Sequence, residues 1–289
     1  MPDLSVLVSI GFLGIAYGMV LYLISVGLSV TMGLMGFVNL AHGVFAMAGG
    51  YVTVTLMNSW GVPFFVALAA AFVFTAALGL VLERTLYCRL YGKGDFDQVL
   101  FSIGLIFVAI AVARHFWGPL TQPMRVPGYL SGVIEVGGRT FPTYRVFLIG
   151  FSIAVIALLW LTLEHSRFGA KIRAAVDNRR MAQSLGVNTA RLFAQTFAFG
   201  SALAGLGGGL GADILAIAPG YPIQYVLYFM IVVVLGGMGT IRGPFLAALL
   251  LGVADAACRY FWPQLGAVFI FLVVFVVLFV RPQGLLRRA

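Results

Sequence analysis

Residues 4–82 carry no Lys, Arg, Asp or Glu, an uncharged run of 79 positions between Asp3 and Glu83. At about 20 residues per crossing, that run has room for three membrane spans. Charged types make up 9% of the whole chain and hydrophobic types 62%, whereas soluble domains are roughly a quarter charged. The chain therefore reads as an integral membrane protein. Its start, Met1-Pro2-Asp3, lacks a basic n-region, so the apolar stretch behind it reads as a retained first span and not a cleaved signal peptide.

The first three spans fall near residues 4–30, 34–57 and 63–82, with Asn58-Ser59-Trp60-Gly61 as an interfacial turn carrying an aromatic anchor. Six further apolar blocks follow at 99–113, 145–163, 192–215, 224–238, 244–260 and 265–280. The expected fold is a single all-α transmembrane domain over residues 1–289, a polytopic bundle of about eight to ten helices. Blocks 99–113 and 224–238 are short for a full crossing. The second runs into Gly236-Gly237-Met238-Gly239, the signature of a broken or re-entrant helix, which is tolerated where protein or a water-lined cavity satisfies the backbone.

Basic residues in short loops mark the cytoplasmic side. Segment 164–191 holds Arg167, Lys171, Arg173, Arg179, Arg180 and Arg191 against Glu164 and Asp177, and the tail carries Arg281, Arg287 and Arg288. Both are expected in the cytoplasm, which puts 84–97 inside and both 114–144 and the N-terminus outside. The outer loop retains Arg114, Arg125, Arg139 and Arg145 against Glu135, so not every loop follows the rule. Its prolines and glycines, among them Pro119, Pro123, Pro127, Gly137 and Gly138, predict turns or a short hairpin over the outer mouth. The formal charge of +9 is thus spread in clusters between apolar spans, a poor footprint for nucleic acid.

Three segments interrupt the apolar pattern. In the cytoplasmic one, residues 166–176 read as a short helix and Asp177 as the N-cap of a second, 178–185, stopped by Gly186; Asn188 or Thr189 then caps the next span. An apolar face of Val176, Met181, Ala182 and Leu185 between basic flanks suits docking into a groove on a soluble partner. It equally suits an amphipathic loop on anionic lipid. In the second span, Asn39, His42 and Gly43 place an amide, an imidazole and a glycine in hydrocarbon. They mark either a translocation pathway or interhelical hydrogen bonding. The third interruption, Gly236, Gly237 and Gly239 ahead of Arg242 and Pro244, reads as a hinge, a tight turn or a solute contact, with Arg242 as a cytoplasmic anchor. Asp255 and Arg259 are four apart on one helix face and are expected to pair, and Asp213 lies near the outer end of its span.

The chain offers no chemistry of its own. Its only lysines, Lys93 and Lys171, lie outside any GxxxxGK[ST] loop, so it is not expected to bind ATP. No HExxH motif, Ser/His/Asp set or buried carboxylate pair is apparent, and Cys88 and Cys258 belong to no CxxC motif. Neither an enzyme nor a metal site is expected.

Read together, three stretches resemble the permease subunits of the branched-chain amino acid group of ABC transporters: Gly33-Leu34-Met35-Gly36-Phe37-Val38-Asn39-Leu40-Ala41-His42-Gly43, then Ser166-Arg167-Phe168-Gly169 through Met181-Ala182-Gln183-Ser184-Leu185-Gly186, and Val234-Leu235-Gly236-Gly237-Met238-Gly239 to Gly243-Pro244. Arg281-Pro282-Gln283-Gly284-Leu285 is similar to the usual ending. The resemblance implies a multi-pass subunit of the bacterial inner membrane. It also implies a second permease, related or identical, a periplasmic solute-binding protein, and two cytoplasmic ATPase subunits that hold the ATP and Mg. It makes Arg167, Phe168, Gly169, Arg173, Ala174, Asp177, Met181, Ala182, Leu185 and Gly186 part of the cytoplasmic coupling helices. Val44 stands where many relatives carry an acid, which implies a less polar solute. The competing classes are a passive channel, which would want two Asn-Pro-Ala-type repeats where only Asn39-Leu40-Ala41 is similar, and an ion-coupled carrier, which would want buried acids beyond Asp213 and Asp255.

Overall fold

The computed structural model describes residues 4–136, 139–265 and 268–280. The tail arginines, Arg281-Pro282-Gln283-Gly284-Leu285, and Gly137 and Gly138 lie outside these. The described residues form eleven α-helices: α1 (Leu4–Met35), α2 (His42–Trp60), α3 (Phe64–Thr85), α4 (Asp95–Trp117), α5 (Thr143–His165), α6 (Arg167–Asp177), α7 (Arg179–Ser184), α8 (Thr189–Leu210), α9 (Tyr221–Gly236), α10 (Arg242–Phe261) and α11 (Val268–Val280). Between α4 and α5 an antiparallel hairpin, β1 (Val133–Val136) and β2 (Arg139–Pro142), pairs Ile134 with Phe141 and Glu135 with Thr140. Segment 114–144 therefore holds the short hairpin that its composition predicts.

Most of the described part of each of the nine apolar blocks falls on a helix. Five of these, α1, α3, α4, α5 and α10, are long and apolar enough to cross a membrane, and α9 is a shorter apolar helix. The chain is an all-α polytopic membrane protein.

Several boundaries differ from the sequence reading, among them that of the second span and that of block 99–113. The second span starts at His42 and not at residue 34, because α1 runs on through Leu34 to Met35 and only then opens at Gly36, whose φ of 60° suits glycine. Block 99–113 is the middle of a full 23-residue helix. Asp95 and Asp97 in its first turn, and Arg114 and His115 in its last, complement the helix dipole and extend the element beyond its apolar centre.

The interior is built on α1 and α8. α1 packs against α10, α8, α9, α5 and α6, and α8 against α3, α2 and α1. Every residue of α8 from Gly200 to Leu210 is buried, so this helix meets other helices where α3, α4 and α5 leave most of their apolar surface exposed. Its glycines permit the crossings. A Cβ on Gly200 would stand 2.9 Å from the Gly27 carbonyl, and one on Gly49 would run into the backbone of Gly205. Without a hydrophobic drive between helices in lipid, such close approach is the means by which they associate.

Candidate functional site

The last third of α1 carries both chain breaks. In the first, the partly buried, non-helical stretch between Gly36 and Ala41 has several of its polar groups met by side chains, although Asn39 Nδ2 is buried without a partner among the described residues. The Val38 N–H donates to Gln98 Oε1 at 3.1 Å, and the Ser102 hydroxyl donates to the Val38 carbonyl at 3.4 Å. Asn39 Oδ1 accepts from the Ala41 N–H at 3.1 Å and from the Tyr87 phenol at 3.0 Å. Irregular backbone persists at membrane depth only with such partners. His42 Nε2 lies 3.0 Å from the Ile24 carbonyl; a carbonyl only accepts, so this nitrogen carries the proton. α2 therefore begins beside the middle of α1, about 16 Å short of its end at 1.5 Å per residue. A Cβ on Gly43 would stand 3.2 Å from Pro222, so α9 also starts beside that point.

The second break joins α9 to α10. Gly237 and Gly239 take φ values of 94° and 77°, and α1 satisfies the turn: the Ser29 hydroxyl donates to the Thr240 carbonyl at 2.9 Å, and the Gly239 N–H donates to the Ser29 carbonyl at 2.9 Å. Gly33 lies flat against the Gly239 backbone, and Gly236 against Gly243 and Pro244. Arg242, just beyond, sits 4.0 Å from Glu164 at the end of α5. Of these six residues, His42, Gly237 and Gly239 contact α1, whereas Asn39 pairs with Tyr87, Gly43 lies against the start of α9, and Gly236 packs on the start of α10.

Segment 164–191 adjoins the same end. Ser166 caps α6 by accepting from the Gly169 N–H at 3.2 Å. Asn178, with β-region dihedrals, caps α7 by accepting from Met181 N–H at 3.0 Å. The sequence reading gave that role to Asp177, which instead ends α6. Gly186 takes φ 83°, and Asn188 caps α8. The expected apolar face divides in two. Ile172, Ala175 and Ala182 turn inward, Phe168 and Val176 are half-buried, and Met181 and Leu185 are 59% and 76% exposed. Arg167, Ala174 and Asp177 face out. Arg173 reaches back to α5: its guanidinium donates to the carbonyls of Leu163 and Glu164, the latter at 3.2 Å. Gly169 abuts the Leu163 carbonyl, so a Cβ has no room there. α6 also contacts α1 and α8. Arg179 stacks over Phe193 at 4.7 Å.

Nearby, Tyr91 donates to buried Glu83 at 2.9 Å. Burial and the adjacent carboxylate push the Tyr91 phenol well above its ordinary range.

At the opposite end of α1 lies a cavity of about 1240 Å³. Its walls come from the N-terminal half of α1, the first two turns of α9, the last turns of α10 and the hairpin, which Phe12 holds through a ring contact with Phe141 at 4.7 Å. Asp255 and Arg259 line it and pair at 2.6 Å, as their spacing predicts. Asp213, Arg139 and Arg145 line it as well. Neither Asn39 nor His42 does. The sequence reading noted each of these five charges but did not bring them together, since they come from four separate elements. Gln98, Ser102 and Ser29, which hold the breaks, were missed; polar residues in otherwise apolar spans were the available signal.

An apolar helix bundle with broken helices, a basic two-helix segment at one end and a polar cavity at the other fits a membrane transport protein. The family described as the branched-chain amino acid transport system permease component matches residues 11–278, and the chain belongs to it. The high-affinity branched-chain amino acid transport permease BraD of Pseudomonas aeruginosa is 32% identical, over 95% of this chain and 94% of its own length. LivH of Escherichia coli K12 is 30% identical over 96% and 94%. LivM of the same organism, another permease protein of such a system, is 27% identical over 97% of this chain and 71% of its own. No solved structure matches.

Proposed function

We propose that this chain is the translocation subunit of an ATP-driven importer for branched-chain amino acids in the bacterial inner membrane. It pairs with a second permease, receives solute from a periplasmic binding protein, and is driven by two cytoplasmic ATPase subunits that bind the ATP and Mg. The relatives' names support the solute class, and the match to both LivH-type and LivM-type permeases supports a two-permease assembly.

The observation that carries the coupling is the geometry of α6 and α7. Met181 and Leu185 stand exposed one turn apart, where an ATPase groove can take them, while Arg173 and Gly169 clamp α6 to the end of α5. Movement of the ATPases is then delivered to α5 and α1. α1 carries both breaks at that end and lines the cavity at the other, with Ser29 and Tyr17 about 18 Å apart along its axis at 1.5 Å per residue. A rigid shift of α1 and the elements clamped to it would thus change access at both ends, each state being stabilised by different subunit contacts.

The test is co-purification. The chain is expressed with its chromosomal neighbours, extracted in mild detergent and read by mass spectrometry. Recovery of two P-loop ATPases and a second permease is expected, and Leu185→Asp is expected to lose the ATPases while still inserting. Recovery of the chain alone would overturn the reading.

A further inference from the structure

The cavity at the hairpin end has been given no ligand above. Its free charges are of both signs: Asp213 is exposed into it, Arg139 and Arg145 are half-buried beside it, and none of the three makes an ion pair among the described residues. Asp255 and Arg259 satisfy each other. Pores for a single ion sign are lined by charges of the opposite sign, which this cavity is not. Part of the lining is aliphatic, with Ile10 and Leu13 from α1 and Leu227 from α9. Gln224 and Tyr225 bring in the start of α9, a helix that begins partway along the bundle and turns its positive dipole end toward this side. At about 1240 Å³ the space exceeds the roughly 300–1000 Å³ of a closed small-molecule pocket, and so suits a solute with its water.

We propose that this cavity is the receiving compartment for an amino acid zwitterion. Arg139 and Arg145 face the solute carboxylate, Asp213 faces its ammonium group, and Ile10, Leu13 and Leu227 face an aliphatic side chain. This assignment rests on the importer reading and names the residues that handle the solute within it.

The test uses the whole complex in nanodiscs, with Cys88→Ser and Ile214→Cys placing one accessible thiol of this chain in the cavity wall and the complex with Cys88→Ser alone as the background for thiols of the other subunits. The labelling rate by a charged, water-soluble thiol reagent is measured with leucine, with leucinamide and with 4-methylpentanoate, the last two each lacking one of the two charges. Leucine at ten times its Kd is expected to slow labelling about tenfold, and either analogue at the same concentration less. Asp213→Asn and Arg145→Gln are each expected to remove the protection in complexes that still co-purify intact. Unchanged labelling with leucine, or equal protection by all three compounds, would overturn the assignment. Leucine uptake by the parent complex is measured in parallel. Uptake without protection sinks this assignment alone, whereas absence of uptake sinks the importer reading and the assignment with it.

Discussion

Replacing Arg173 with Met keeps an unbranched apolar stem and deletes the guanidinium that binds α6 to the end of α5. The two carbonyls it serves, those of Leu163 and Glu164, belong to the last turn of α5, where acceptors have no intrahelical donor and a cation meets the negative end of the dipole. Bonds from a charged donor are worth about 1.5–3 kcal/mol each when shielded. Arg173 is exposed, so the pair is discounted to about 1–2 kcal/mol together. At 1.4 kcal/mol per factor of ten, that shifts the docked population of α6 by roughly 5- to 30-fold. The buried Ile172 and Ala175 still hold the helix, so the variant is expected to insert and assemble. The assay is leucine uptake and binding-protein-stimulated ATP hydrolysis by the reconstituted complex. Arg173→Met should lose coupling by a factor in that range, and Arg173→Lys should recover part of it, because one ammonium cannot span two carbonyls as a planar fork does. Parental uptake and stimulation in Arg173→Met would refute the clamp.

Other positions test the bundle itself. Gly49→Val drives a side chain into the backbone of Gly205 where α2 crosses α8; overpacking of this kind costs at least about 1–3 kcal/mol, so a marked loss of the monodisperse peak in detergent is expected, while Gly104→Ala, with open space around it, should leave the peak unchanged. Gln98→Ala strips the Val38 N–H of its acceptor and should lower the detergent melting temperature by an amount matching about 1–3 kcal/mol, whereas Gln98→Glu, which still accepts, should lose less. Tyr91→Phe removes the donor on buried Glu83 and should cost about the same. Because the Tyr91 phenol is raised in the folded chain, its contribution is whole below the ordinary value of 10 and falls as pH climbs beyond it; the stability gap between parent and Tyr91→Phe should therefore narrow above that pH.

The bundle was legible because helices cover most of its apolar blocks, three of them within the charge-free run of 79 residues. The extent of α4 was not, since hydropathy stops at charged residues while the helix uses Asp95 and Arg114 as dipole partners at its ends. The breaks were visible as glycines and polar residues, but their supports were not: Gln98 is 60 positions from Val38 and Ser29 is 211 from Thr240, and only the fold pairs them. Asn178 rather than Asp177 caps α7 because the chain adopts β-region dihedrals one residue later than the pattern predicts. Asp255 and Arg259 could be paired from their spacing on one helix, whereas the cavity joins charges from the hairpin, α5, the turn after α8, and α10, a grouping with no trace in local sequence.

The central claim is that this chain moves solute only as part of an ATP-driven assembly. The direct test is leucine accumulation in proteoliposomes that contain either the purified chain or the complete complex with binding protein and ATP. Accumulation by the complex, its loss when ATP is omitted, and no flux through the chain alone are predicted. Leucine flux through the chain alone would contradict the account and make the protein a channel or an ion-coupled carrier.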